Sequence, residues 1–266
     1  MVFSSNIFLI YFLPIFLIFY FITPKNWRNV VLLLFSLVFY AYGAPDFILL
    51  LVGSCVTNFY LVKLMHNAKN QLSKKLYCGA AIVISLGLLI YYKYANFFID
   101  NLNLMLEAFG AHTITFAKVL LPIGISFFTF QTLSYVIDVY RGEVAAQRSA
   151  VKFGTYVTLF PQLIAGPIVR YVDVERELRS RETTLEDFRL GLRRFLFGLG
   201  KKILIANQLG LFLEIFRASG EKSLLFYWLY AIAFMLNIYF DFSGYSDMAI
   251  GLGRILGFHF IENFNY

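Results

Sequence analysis

Charge is scarce in this chain: Asp, Glu, Lys and Arg make up 15% of 266 residues, against roughly 25% in soluble domains. With 59% hydrophobic and 19% aromatic residues and a mean hydropathy of +0.69, that deficit excludes a soluble globular domain and points to an integral membrane protein. At about 20 apolar residues per helical crossing, the length holds roughly seven to nine passes, with no room for a soluble domain beside them. The expected fold class is all-α, a polytopic transmembrane helical protein with residues 1–266 as one membrane domain. Cysteine is rarer still. Cys55 and Cys78 stand alone, within and at the start of apolar runs and without C-x-x-C spacing, which excludes a disulfide framework and a thiolate metal site; both read as buried free thiols. No charged side chain precedes Lys25, so the start of the chain lacks the basic n-region of a cleaved signal peptide and is expected to stay as an anchor. The net charge of +7 is spread between apolar runs, with no basic patch interleaved with aromatics. Nucleic acid is therefore not an expected partner; the lipid bilayer is.

Apolar runs at 6–22, 29–44, 47–62 and 76–92 predict four spans. In 93–118 the residues Tyr94, Phe97, Phe98, Leu102, Leu106 and Phe109 recur at near-helical spacing among polar ones, predicting an amphipathic helix at the interface. A fifth span is expected at 119–137. With the N-terminus outside, the inner loops carry 18 of the 23 basic residues, as the positive-inside rule requires. These are Lys25 and Arg28, four in 63–75, three in 141–152 and nine in 170–202.

The run 151–169 has basic residues on both flanks and is interrupted at Phe160-Pro161-Gln162 and Ala165-Gly166-Pro167. A full crossing would place one basic flank outside, so a broken, re-entrant element is expected, with its non-helical backbone sheltered by protein or a water-filled cavity. Thr184 reads as the cap of a helix with acidic residues in its first turn, and Arg189, Arg193 and Arg194 hold that helix to the inner face. The stretch 203–216 is about 21 Å at 1.5 Å per residue. It crosses only if the helix begins near Phe195, with Lys201 and Lys202 snorkelling to the surface.

The most informative segment follows the apolar run 224–240: Phe240-Asp241-Phe242-Ser243-Gly244-Tyr245-Ser246-Asp247. A charged side chain at the bilayer centre costs about 2.5–3.5 kcal/mol on insertion scales, so two carboxylates within seven residues mark a candidate site. A structural polar network that fixes helix positions is the alternative. Asp241, Ser243, Tyr245, Ser246 and Asp247 are the candidate cavity lining. Gln162 and Arg170, polar residues of the broken element, are candidate substrate or thioester contacts. Gly198-Leu199-Gly200-Lys201-Lys202 resembles a phosphate loop but has Phe195 and Lys202 where glycine and Ser or Thr are required. Gly251-Leu252-Gly253 follows no strand and reads as close helix packing. No G-x-S-x-G elbow exists to activate Ser243 or Ser246. His66 and His112 read as solvated, and His259 has no carboxylate nearer in sequence than Glu262.

Residues 1–5, 92–97, 121–127, 135–142 and 262–266, with Phe160-Pro161-Gln162-Leu163-Ile164-Ala165-Gly166-Pro167 and Tyr239-Phe240-Asp241-Phe242-Ser243-Gly244-Tyr245-Ser246-Asp247-Met248-Ala249-Ile250-Gly251, closely resemble the membrane-bound O-acyltransferase family, in its alginate O-acetylation branch. The resemblance runs in order along the whole chain. It implies a multi-pass protein of the bacterial inner (cytoplasmic) membrane that moves acetyl or similar acyl groups to hydroxyls of an extracytoplasmic polysaccharide such as alginate. The implied donor is a cytoplasmic thioester such as acetyl-CoA, with no tightly bound cofactor and no metal, and extracytoplasmic acetyltransferase proteins are implied partners. The family's essential histidines sit in Arg-Trp-His and Trp-His-Gly contexts downstream of Glu262-Asn263-Phe264-Asn265-Tyr266. They match no position here, and His259 fits neither context, so the catalytic residue is unknown. The expectation is the N-terminal part of a longer acyltransferase, inactive when expressed alone. D-alanyl transfer to teichoic acid, or a transporter or non-catalytic scaffold using the carboxylates as an ion relay, remain as other readings.

Overall fold

The computed structural model describes residues 2–163, 166, 169–220 and 223–264. Among them the regular structure is helical: α1 (Ile7–Ile22), α2 (Arg28–Gly43), α3 (Ile48–Asn67), α4 (Gln71–Ala108), α5 (Ile125–Arg141), α6 (Ala150–Thr158), α7 (Phe160–Leu163) and α8 (Tyr171–Arg179), then α9 (Leu185–Ala218) and α10 (Leu224–Ile255). The predicted spans at 6–22, 29–44, 47–62 and 76–92 fall on helices, whereas the one at 119–137 is helical only from Ile125. Four helices, Pro45–Asn67, α4, α9 and α10, are long and apolar enough to cross a membrane, and the protein is a multi-pass all-α membrane protein. The helices group into two compact units, Met1–Phe39 with Thr158–Tyr266, and Tyr40–Val157.

In the first unit, aromatic side chains build the core. Phe160 meets Phe12 and Phe16 edge-on at centroid distances of 5.5 and 5.1 Å, offset geometries favoured by the ring quadrupole, and its amide donates to Ser36 Oγ at 3.1 Å. Thr184 accepts from the Asp187 amide at 3.0 Å, and the Thr184 amide donates back to Asp187 Oδ2 at 3.3 Å. This is the expected cap, closed reciprocally. The linker from α8 to α9 is tied down by Arg181, which donates to Tyr20 Oη at 2.9 Å, to the Leu256 carbonyl at 3.2 Å and to Asn29 Oδ1 at 2.7 Å.

One expectation changes here and another is met. The Thr184 helix is not a separate surface element: α9 runs as one helix of 34 residues through a π-helical turn at Lys201–Ala206. Asn237 of α10 donates to the Ala206 carbonyl at 2.7 Å at the end of that turn, so the wider winding leaves no orphaned acceptor there. The run 151–169 is broken, as predicted, into α6 of nine residues and α7 of four. At about 1.5 Å per residue neither crosses a hydrocarbon core of about 30 Å. Ile164, Ala165, Pro167 and Ile168 of that segment lie outside the described residues.

In the second unit, α3 and α4 pack together, and both contact α5. Asn58 bridges α3 to α4, donating to Ser85 Oγ at 3.1 Å and to the Ser54 carbonyl at 3.0 Å, which satisfies a buried amide in an apolar setting. The predicted interfacial helix is instead the second half of α4. No proline interrupts 71–108 and Gly87 stays helical, so the helix of 38 residues is about 57 Å long at 1.5 Å per residue, well beyond a bilayer core. The extended chain that follows is clipped to it by Asn96, paired with both backbone groups of Val119 at 2.7 and 2.9 Å. Asn103 pairs in the same way with Ile114, at 3.0 and 2.8 Å.

Candidate functional site

The Asp-Phe-Ser-Gly-Tyr-Ser-Asp segment is helical, set in the C-terminal half of α10. That helix changes character along its length. Trp228, Ile232 and Met235 are exposed, whereas Ser243, Gly244, Ser246 and most positions from Met248 to Ile255 are buried. The polar segment therefore begins where α10 passes from an exposed apolar wall into protein.

Glycine permits that burial. A Cβ on Gly191 would lie 2.6 Å from the Gly251 carbonyl oxygen, and one on Gly198 would lie 2.5 Å from that of Gly244. Any side chain there would collide with backbone, so α9 and α10 meet at near-minimal separation, as small residues allow between membrane helices. The expectation of close packing at Gly251 is met.

At this range the basic residues of α9 reach α10. Lys201 Nζ lies 2.6 Å from Asp247 Oδ2 and donates to Ser243 Oγ at 3.0 Å. Lys202 Nζ lies 2.5 Å from Asp241 Oδ1. Arg194 donates through Nε and Nη2 to Asp247 Oδ1 at 3.1 and 3.0 Å and also pairs with Glu262. Toward the start of α9, Arg254 Nε reaches Asp187 Oδ1 at 3.2 Å. The snorkelling expected of Lys201 and Lys202 does not occur. The π-helical turn begins at Lys201, and two carboxylates across the helix pair offer what the distant surface would have supplied.

The network brings Asp241, Ser243 and Asp247 together. Asp247 is the more enclosed, its side chain 13% exposed against 50% for Asp241. Tyr245 faces elsewhere: its ring stacks on Phe3 at 4.6 Å, and its hydroxyl, like that of Ser246, is buried without a hydrogen-bond partner among the described residues. Gln162 is buried on α7, a helix that packs against α10. Arg170 is exposed just before α8, its amide donating to Asp173 Oδ2 at 3.0 Å.

Sequence reasoning missed the partners. Lys201 and Lys202 sit inside an apolar stretch, the same signal that singled out Asp241 and Asp247, and pairing the two anomalies would have found the network. His259 does have a carboxylate neighbour: Glu177 Oε1 lies 2.8 Å from Nδ1, and the His259 amide donates to both Glu177 oxygens at 3.2 Å. The two residues are 82 positions apart, beyond any local pattern. Among the described residues no group of three or more His, Cys, Asp or Glu is placed to hold a metal ion.

Fold and site together define a multi-pass membrane protein with an ion-paired polar seam between two long helices. Residues 143–266 match the family model of MBOAT, the membrane-bound O-acyltransferase family. The whole chain is 43% identical to the "Probable alginate O-acetylase AlgI" of Azotobacter vinelandii, covering 53% of that protein. It is 42% identical to the protein of the same name from Pseudomonas aeruginosa, covering 51% of it. Over 302 aligned positions it is 32% identical to the "Peptidoglycan O-acetyltransferase" of Helicobacter pylori, covering 56% of that protein. The chain spans about half the length of the curated relatives it matches.

Proposed function

We propose that this chain is the helical half-site of a membrane O-acyltransferase of the bacterial inner membrane. Residues 1–266 serve as one membrane domain in moving acetyl or similar acyl groups from a cytoplasmic thioester such as acetyl-CoA to hydroxyls of an extracytoplasmic polysaccharide. The whole-chain likeness to two alginate O-acetylases and a peptidoglycan O-acetyltransferase supports that activity and acceptor class. Extracytoplasmic acetyltransferases complete the proposed set of partners.

The observation that carries the reading is the pairing of Asp247 with both Lys201 and Arg194. Both oxygens of that carboxylate are already engaged, Oδ2 by Lys201 and Oδ1 by Arg194, which commits it to a fixed position rather than to passing ions. Sugar hydroxyls need a base with a pKa near 7, most often histidine, contributing typically 10²–10⁴-fold. Asp247, Asp241 and Ser243 are in this reading a rigid polar wall, with Gln162 and Arg170 contacting substrate or donor. The base comes from elsewhere in the complete enzyme.

The test is a chimera in which this chain replaces the matching half of the Azotobacter vinelandii protein. Acetylation of alginate in cells lacking the native enzyme, reduced at least tenfold by Asp247→Asn at equal membrane abundance, is expected. A stable chimera that acetylates nothing, or one that supports proton-linked uptake in vesicles abolished by Asp247→Asn, overturns the reading.

A further inference from the structure

The arginines of α9 divide between two faces of the helix. Arg194 turns to the seam with α10, where it pairs with Asp247 and Glu262, and Gly191 and Gly198 meet α10 on that same side. Arg189 and Arg193 stand on the opposite side beside Leu192, Leu196 and Phe197, and these five residues line an open groove of about 460 Å³. We propose that this groove seats the headgroup and upper acyl chain of a monoanionic glycerophospholipid such as phosphatidylglycerol, an inference independent of the acyl-transfer reading above.

The charge pattern selects the headgroup. Arg189 Nη2 lies 2.8 Å from Glu186 Oε1, one turn away, in an exposed pair that water weakens and that leaves the guanidinium able to turn. Arg193 has no carboxylate partner among the described residues; its guanidinium lies over the Phe197 ring, 5.5 Å from the centroid. That contact uses no hydrogen-bond acceptor, so the planar fork stays open to a phosphate. Two arginines set against one glutamate leave a single positive charge, which one phosphodiester neutralises. A zwitterionic phosphatidylcholine brings no net charge to answer it.

Helical spacing supplies the place for the chains. Residues 189, 192, 193, 196 and 197 follow the i, i+3, i+4, i+7, i+8 pattern of one helix face, with the arginines leading and the apolar side chains extending beyond them. At 1.5 Å per residue Phe197 lies about 12 Å along the axis from Arg189, and a phospholipid presents its phosphate and then its chains in that order. Leu192, Leu196 and Phe197 are all exposed. One turn further, a Cβ on Gly200 would meet nothing within 4 Å, so the face stays open for an acyl chain.

Topology alone accounts for basic residues at this end of α9. It asks only that they lie on the inner side of the membrane, and Arg176 and Arg194 meet that requirement without belonging to the groove. A free phosphate would find the same two guanidinium groups but would leave the apolar ladder below them unused. A partner helix laid along the face would bury the ladder and enclose Arg193 without a counter-ion, which is costly. An anionic lipid answers both halves of the groove, as it does at basic pockets on other membrane proteins.

The test mixes the purified chain in detergent with equal amounts of phosphatidylglycerol, phosphatidylethanolamine and phosphatidylcholine, and measures by mass spectrometry the lipid that stays bound through gel filtration. Phosphatidylglycerol is expected to be retained selectively and to resist displacement by glycerol 1-phosphate, which carries the charge without the chains. Arg193→Gln is expected to lower retention about five- to tenfold. Arg176→Gln, at an exposed position on α8, is expected to leave it within about twofold. Gly200→Leu fills open space without collision and is expected to lower retention while the unfolding midpoint in lipid-free detergent stays unchanged. Glu186→Gln frees Arg189 and is expected to raise retention, a gain that misfolding cannot produce. Equal retention of the three lipids, equal losses in Arg193→Gln and Arg176→Gln, or unchanged retention when Arg189 and Arg193 are both replaced by Gln overturns the assignment. So does displacement by glycerol 1-phosphate, which makes the groove a site for free phosphate. Loss of the lipid when this chain is joined to the remaining half of the Azotobacter vinelandii protein also overturns it, because the groove is then an internal packing face.

Discussion

Gly198 and Gly244 face each other across α9 and α10 so closely that a Cβ on either would stand within 2.8 Å of the other's carbonyl oxygen. Backbone cannot yield as a side-chain tip can, so Gly198→Ala must push the helices apart. A loss of about 1–3 kcal/mol is expected, as for overpacking in a dense interior, read as a lower unfolding midpoint in detergent. Gly210→Ala on the same helix meets only the Asn237 side-chain amide at 3.5 Å and is expected to be neutral or slightly stabilising.

Separating those helices would strand the charges between them, and the two carboxylates should not be equivalent. Asp247→Asn leaves Lys201 without its carboxylate and Arg194 with Glu262 alone, at a more enclosed position than Asp241, and is expected to cost about 1–3 kcal/mol. Asp241→Asn removes one partner of a half-exposed pair, for which about 0–1 kcal/mol is usual. Denaturant titration of the two variants, with Lys201→Met/Asp247→Leu recovering part of the larger loss, checks the ordering. Equal effects would mean that both pairs are solvated.

Arg181 joins the linker after α8 to the end of α10 through bonds to Tyr20, Asn29 and the Leu256 carbonyl, and its guanidinium lies 4.6 Å over the Phe258 ring. Lysine keeps the charge and loses the planar fork. Arg181→Lys is expected to cost about 1.5–3 kcal/mol locally, seen as faster amide hydrogen exchange at 256–258 while exchange in α4 is unchanged.

The Lys25–Glu182 pair at 2.6 Å gives a pH-dependent contact outside the spans. The hydrogen bond and charge of Lys25 hold the Glu182 carboxyl below its ordinary range. A lowered folded-state value contributes stability that is present above the unfolded value and is lost as pH falls through the folded one. In Lys25→Gln, the Glu182 carboxyl resonance should titrate at higher pH than in the parent, with any stability difference vanishing in acid.

Much of this architecture is readable from local sequence because its causes are local. The apolar runs 6–22, 29–44, 47–62 and 76–92 became helices, Thr184 capped one through its own side chain, and the basic flanks and prolines of 151–169 announced a break. The sequence misled where one local pattern serves two structures: the near-helical spacing of Tyr94, Phe98 and Leu102 suits a helix lying on a membrane and equally one continuing out of it. The ion pairs stayed hidden for another reason. Lys201 and Asp247 are 46 positions apart, and their meeting depends on a glycine contact and a π-helical turn that composition does not disclose.

The two glycine contacts, Gly191 with Gly251 and Gly198 with Gly244, are seven residues apart on both antiparallel helices. Such a notch is nearly periodic: slid by one heptad, about 10 Å at 1.5 Å per residue, the pair would still find a glycine opposite a glycine. What distinguishes the native position is charge, since only there do Arg194 and Lys201 bracket Asp247 while Lys202 meets Asp241. Glycine machines the slide, and the ion pairs act as its detent.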